Sequence, residues 1–263
     1  MIKQYKISVP KSTLNDIYKR VREFPWKDAQ NMSGWEYGTN LNYLKSISKY
    51  WISKYNWKKF ENKINSFKNY KTKVEDINLH FIFEKSKNPN SRPLLLLHGW
   101  PGSISEFLNI IPRLAHPEKY GGKIEDGFDV IVPSLPGFGF SSQIKKALGP
   151  RKIGKILNKF MVKNLGYKNY FVQGGDWGAT IAGWIGLDSS KNCKGIHINC
   201  LPLRHPKGPK NSKEKKWEKK FNFDQIMQEG YRTQQATKPQ TLSYAMIDSP
   251  VGTAAWILEK FHG

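Results

Sequence analysis

The chain has 263 residues, 38% hydrophobic and 13% aromatic, enough to bury a core and too apolar for a disordered protein. Its 43 Lys and Arg against 21 Asp and Glu give a net charge of +22. That excess could mark a nucleic-acid or anionic-membrane partner, but the lysines run along nearly the whole chain with no nucleic-acid motif. This favours a lysine-rich solvated surface and argues against a nucleic-acid role.

The first twenty residues hold no apolar run suited to a signal peptide or membrane anchor, so the chain reads as soluble or peripheral. Residues 3–9 suggest a short extended segment that Pro10 breaks. Leu14, Ile17, Tyr18, Val21 and Phe24 then recur at helical spacing, with Ser12 or Thr13 as the expected cap. Pro25-Trp26 ends that helix. After a polar loop to about Asn40, Leu41, Leu44, Ile47, Trp51 and Tyr55 outline a second helix. Trp57, Phe60, Ile64 and Phe67 outline a third.

From Val74 the period changes to two. Ile77, Leu79, Phe81 and Phe83 alternate with other residues, which is strand spacing. Pro93 to Leu97 is a continuous apolar run, typical of a strand covered on both faces. His98-Gly99-Trp100-Pro101-Gly102-Ser103 follows, leading into a helix carrying Phe107, Leu108, Ile111 and Leu114. Phe128 to Val132 form another strand, ending in Pro133 to Ser141. A helix with Ile153, Ile156, Leu157, Phe160 and Met161 precedes the strand at Tyr170, and Gly195 to Cys200 read as one more strand. Strand and helix alternate repeatedly, so the body is an α/β protein with a largely parallel sheet. Cys193 and Cys200 match no metal or redox spacing and are expected to be buried thiols. Residues 204–220 hold Arg204 and seven lysines around Trp217; they could touch acidic lipid head groups, but a solvated helix or linker is the favoured reading.

Tyr170 to Thr180 is the stretch with chemistry in it. A short apolar strand turns within one residue into a helix of small side chains, and Gly174 and Gly178 flank Asp176. That is the G-x-nucleophile-x-G spacing of a nucleophile elbow, with a carboxylate where a serine hydrolase places serine. A lone Asp so placed could simply cap the helix. A carboxylate is, however, ionised at neutral pH and can attack an alkyl carbon without a base, forming an ester. In parallel sheets the site lies at the carboxyl ends of the strands, where His98, Pro133–Ser141 and Asp176 all fall.

Together these stretches resemble the epoxide hydrolases of the microsomal type, an α/β-hydrolase family that includes the insect juvenile hormone epoxide hydrolases. Val9-Pro10 and Phe24-Pro25-Trp26 are similar to its N-terminal region, His98 to Ser103 to its HGWPGS loop, and Pro133 to Ser141 to its PSLPGFGFS segment. Gln173 to Gly178 is similar to its QGGDWG nucleophile turn. Gly230-Tyr231 and Asp248 to Gly252 resemble its cap. The resemblance implies an α/β-hydrolase core with a partial helical cap. Residues 1–73 would be the family's helical N-terminal region, 74–203 the first part of the core, and 204–263 a basic linker and the start of the cap.

It further implies roles. Asp176 is the expected nucleophile, Tyr231 the proton donor to the epoxide oxygen, the backbone N–H groups of Trp100 and Trp177 the oxyanion hole, and His98 a loop organiser. Neither metal nor cofactor is implied. The implied partner is a small lipophilic epoxide, with peripheral contact to anionic membrane open. The implied location is the endoplasmic reticulum membrane, or the cytoplasm since this chain carries no anchor. Haloalkane dehalogenases also use an Asp in this fold, but the HGWPGS and N-terminal segments argue against them.

One departure matters. The family's hydrolytic step needs an acid and then a His after the nucleophile. After Asp176 come only His197, His205 and His262, none of which matches the family's base. The sequence therefore reads as truncated within the cap, with impaired turnover expected. The alternative is an inactive lipid- or terpenoid-binding relative or fragment.

Overall fold

A computed structural model of the chain describes residues 1–32, 34–200 and 206–262. Arg204 and His205, which the sequence singled out, lie outside the described residues. In chain order the elements begin with β1 (Ile2–Gln4), α1 (Lys11–Arg22), α2 (Leu41–Ser53), α3 (Trp57–Asn65), β2 (Asn69–Val74), β3 (Ile77–Glu84) and β4 (Arg92–Leu97). They continue with α4 (Ile111–Ala115), β5 (Phe128–Pro133), α5 (Pro150–Lys159), β6 (Tyr170–Gly174), α6 (Trp177–Asp188) and β7 (Cys193–Ile198). Four helices close the chain: α7 (Ser212–Gln228), α8 (Gly230–Thr237), α9 (Pro239–Asp248) and α10 (Pro250–His262).

These elements form two compact units, one of Met1–Ser8 with Lys58–Pro202, the other of Val9–Trp57 with Leu203–Gly263. Both are assembled from segments far apart in the chain. The first holds a seven-stranded sheet in the order β1-β2-β3-β5-β4-β6-β7. Strands β5, β4, β6 and β7 run parallel, while β1, β2 and β3 pair antiparallel and β3 joins β5 antiparallel. The connection leaving β4 runs to β5 on one side, and the connection leaving β6 runs to β7 on the other. The loops at the carboxyl ends of β4 and β6 thus diverge from neighbouring strands, the point at which open α/β sheets place their sites.

Each face of the sheet has its own core. One gathers Leu95, Leu97, Val172 and Tyr170 with Ile156 and Leu157 of α5 and Ile181 and Ile185 of α6. The other gathers Leu96, Val130 and Val132 with Ile7, Ile64, Leu108 and Ile111. Burial on both faces explains the unbroken apolar run of β4, each such side chain contributing about 1.5–3 kcal/mol. Ile7 and Asn65 exchange two hydrogen bonds: the Ile7 N–H donates to Asn65 Oδ1 at 2.9 Å, and Asn65 Nδ2 donates to the Ile7 carbonyl at 2.8 Å. In the second unit Val21, Leu44 and Val251 are buried together with Trp26, Trp51 and Leu258. There Arg20 donates to the carbonyls of Ile247 and Asp248.

Local details depart from the sequence reading in four places. Helix α1 starts at Lys11 with Pro10 at its N-cap and no side-chain cap, so neither Ser12 nor Thr13 serves. Proline already fixes its φ, and the turn needs no hydroxyl there. The single helix expected through Leu114 is split into a 3-10 turn, Ile104–Phe107, and α4. Pro112 has no N–H to continue the ladder, yet Leu108 and Ile111 are still buried. Strand β2 was hidden by its outward lysines. Strand β7 ends at Ile198, which leaves Cys200 exposed and only Cys193 buried.

Candidate active site

Register builds the site. Leu97, the last residue of β4, pairs with Gly174, the last residue of β6, so the next residues of each strand emerge side by side. After β6 the chain turns at Asp176, whose φ of 49 and ψ of −122 form a conformation that L-residues rarely take. Holding a non-glycine residue there costs roughly 1–3 kcal/mol, a strain that sharp turns at reactive residues commonly carry. The close neighbours must be glycine. A Cβ at Gly174 would overlap the carbonyl of Gly178, and one at Gly178 would overlap the carbonyl of Leu97.

The side chain of Asp176 projects outward and is exposed. Its Oδ1 accepts the backbone N–H of Trp100 at 2.8 Å. Trp100 lies on the loop leaving β4, joined to Pro101 by a cis peptide. Trp177 is the first residue of α6, where backbone N–H groups have no partner within the helix. The structure thus brings Asp176, Trp100 and Trp177 together at the ends of β4 and β6.

His98 lies beneath this loop, fully buried. Its Nε2 accepts the N–H of Leu135 at 3.1 Å, so the ring proton is on Nδ1, which donates to the Gly99 carbonyl at 3.0 Å. Burial lowers its pKa, outweighing the opposing pull of the Gly99 bond and the Asp176 charge, and the ring is neutral. A second buried histidine, His80 of β3, holds the adjacent residue. Asn69 Nδ2 donates to the carbonyls of Ile64 and Phe67, which leaves its Oδ1 to accept His80 Nε2 at 3.1 Å. His80 Nδ1 therefore accepts the Ser134 hydroxyl at 2.9 Å. Two neutral rings clamp consecutive residues, Ser134 and Leu135, of the proline-rich loop. Sequence reading found one of them and passed over His80, whose place in an apolar strand gave no sign of its polar partners.

It also passed over Glu106. This residue is on the 3-10 turn that follows the Trp100 loop, and its Oε1, Cδ and Cγ are the atoms nearest to where a Gly102 Cβ would be. The residue as a whole is exposed, but desolvation of its carboxyl group raises its pKa, with the Asp176 charge next. Hydrogen bonding from the Ser103 and Gly99 backbone pulls the other way.

The remaining sequence candidates lie elsewhere. His197 is exposed on β7, in register with Gln173. His262, in the second unit, packs its ring on Trp35 with centroids 4.0 Å apart. Among the described residues no histidine is hydrogen-bonded to Asp176, and no three His, Cys, Asp or Glu side chains are grouped as metal ligands. Tyr231 is at the start of α8 in the second unit, with Lys260 Nζ 5.0 Å from its ring centroid. No helix among the described residues is long and apolar enough to cross a membrane.

Two family models match the chain, the epoxide hydrolase N terminus over residues 2–107 and the alpha/beta hydrolase fold over residues 92–245. A putative epoxide hydrolase of Stigmatella aurantiaca is 40% identical over 270 residues, which take in 100% of this chain and 60% of that protein. Epoxide hydrolase 1 of Oryctolagus cuniculus is 37% identical over 99% of this chain and 62% of its own length. The chain therefore spans about 60% of the length of these relatives. Among solved structures, the juvenile hormone epoxide hydrolase of Bombyx mori superposes with a TM-score of 0.88 at 31% identity, over 99% of this chain and 66% of that one. The epoxide hydrolase of Aspergillus niger gives 0.87 at 29% identity, over 99% and 69%.

Proposed function

The chain belongs to the α/β-hydrolase family, in the branch marked by the epoxide hydrolase N-terminal region, and from that premise we propose that it opens epoxides through a covalent ester on Asp176. The observation that carries this reading is the 2.8 Å hydrogen bond from Trp100 N–H to Asp176 Oδ1. A donor held on one oxygen leaves Oδ2 as the attacking atom. Oδ2 forms a bond to an epoxide carbon while the carbon–oxygen bond of the ring breaks, and the ring oxygen keeps that electron pair. The oxygen then takes a proton from a phenol, the role given to Tyr231. Oδ1 becomes the carbonyl oxygen of the ester, still facing the Trp100 N–H. With the Trp177 N–H, that donor would stabilise the oxyanion formed when water attacks. His98 serves by fixing the loop. The exposed Trp177 beside Asp176 supports a lipophilic substrate.

Ester hydrolysis requires a base as well, and none of the described histidines is hydrogen-bonded to the nucleophile. For the polypeptide of residues 1–263, ring opening accordingly outruns hydrolysis and the ester accumulates. Helix α7, whose Lys213, Lys215, Lys216, Lys219 and Lys220 are exposed along with Trp217, is read as a solvated basic helix, with contact to an anionic membrane surface as the alternative.

The test is covalent. Styrene oxide should add its own mass once, to the peptide containing Asp176, and an Asp176→Ala chain should stay unmodified. Equal labelling of both chains at another residue would overturn the assignment.

A further inference from the structure

We infer that Glu106 is a positioning residue of this site: its carboxylate braces the turn from Gly99 to Gly102, and so keeps the Trp100 N–H directed at Asp176. The inference rests on the reading of Asp176 as the alkylated group.

Gly102 has no side chain, and the space in front of its Cα is filled by the end of Glu106, reaching back from the next turn of chain. At the other end of the same loop, the space in front of Gly99 is filled by Asp176 itself. Two carboxylates therefore share four residues of backbone. Asp176 takes the Trp100 N–H, and the end of the Glu106 side chain lies against Gly102. With one end of the loop held by each carboxylate, the peptide between them has little freedom to rotate its N–H away.

The electrostatics point the same way. A carboxylate present only to cap a turn would sit in water or beside a cation. Glu106 is instead desolvated and feels the like charge of Asp176, and both effects oppose its ionisation. Such an arrangement lowers stability, and it is typical of functional sites rather than of scaffolds.

The experiment uses the 263-residue chain and styrene oxide, following labelling of the Asp176 peptide over time at several epoxide concentrations. In Glu106→Ala the limiting rate should fall by about tenfold or more, with the half-saturating concentration unchanged, because the loss concerns orientation rather than substrate binding. Glu106→Gln keeps an acceptor for the loop and should stay within about threefold of the parent rate. It should also melt no lower than the parent at pH 7, since a disfavoured charge is gone. Gly102→Ala should reproduce the Glu106→Ala loss, because its Cβ displaces only the end of a flexible side chain. The double variant should then be no slower than either single one, the non-additivity of two changes acting on one contact.

Labelling of Glu106→Ala at the parent rate would overturn the inference, as would losses in Glu106→Ala and Gly102→Ala that multiply. Should Glu106→Ala lose its cooperative melt, Gly102→Ala alone decides. If the parent chain labels at Asp176 while all these variants behave like it, only the role of Glu106 falls. If the parent chain never labels at Asp176, the nucleophile assignment falls and this inference with it.

Discussion

The backbone N–H of Trp100 and the carboxylate of Asp176 are 76 positions apart in sequence and 2.8 Å apart in space. Neither residue is placed by its own preferences. Trp100 is carried there by β4 and Asp176 by β6, and the pairing of Leu97 with Gly174 sets their mutual height to within one residue. A slip of that register would part donor from acceptor and turn the apolar faces of both strands the wrong way. The core that fixes the register therefore fixes the chemistry too.

Close packing at the turn predicts two opposite outcomes within α6. A Cβ at Gly178 would meet the main-chain carbonyls of Leu97 and His98, neither of which can swing aside as a side chain would. Gly178→Ala should cost about 1–3 kcal/mol and abolish labelling of Asp176. Nothing lies within 4 Å of a Cβ at Gly183, and there Ala should stabilise the helix by about 0.5–1 kcal/mol. Thermal melts of both variants, run beside the labelling assay, check the contrast.

Separating ring opening from ester hydrolysis leads to a prediction about stoichiometry. The polypeptide of residues 1–263 should consume one equivalent of styrene oxide and then stop. Tyr231→Phe should slow that single event by about ten- to a hundredfold through loss of the proton donor. Diol released continuously, and abolished by Asp176→Ala, would show that a base is at work, and replacing His197, His205 and His262 in turn would locate it.

Buried His80 predicts a pH dependence of stability. Burial, with Lys71 second, lowers its pKa from 6.5 to about 3. The folded chain keeps the ring neutral over that window, whereas the unfolded chain takes up a proton below about 6.5. Stability is therefore lost as pH falls, by at most about 1.4 kcal/mol per unit for this one group. His98 is shifted the same way and should add to the slope. Denaturant titrations between pH 7.5 and 5 should show a shallower dependence in His80→Gln. An unchanged slope would mean that the ring is already protonated in the fold.

On the membrane-contact alternative, the basic face of α7 predicts salt-sensitive adsorption. Vesicles containing phosphatidylserine should sediment more of the chain than neutral vesicles do, and the difference should shrink once added salt brings the Debye length to a few ångströms. Reversing Lys216 and Lys220 to Glu should remove it. Equal sedimentation with both vesicle types would leave α7 as a solvated helix.

Much of this was legible in the residues because periodicity and close approach both leave sequence marks. Leu94 to Leu97 announced a strand covered on both faces, and Gly174 and Gly178 around Asp176 announced a turn with no room for side chains. Other features leave no such mark. Strand β2 carries Lys71 and Lys73 and pairs by backbone, so its side chains conceal it. Pro112 splits a helix that its apolar neighbours still describe correctly as a buried face. Glu106 follows a glycine-bearing loop at a spacing common to any surface helix. Its nearness to Gly102 depends on how the loop folds back, which residue types do not encode.

The two hydrogen bonds between Ile7 and Asn65 join positions 58 apart in the chain, at the two feet of everything between them. Seen from the sheet, residues 9–57 are an excursion that leaves and returns through one clasp. Closing such a loop costs entropy that grows only by about 0.6 kcal/mol for each doubling of its length. The clasp therefore frees the excursion to lengthen, shorten or change its sequence at little expense to the sheet that bears Asp176. Evolution can work on one end of this chain without disturbing the register on which the other depends.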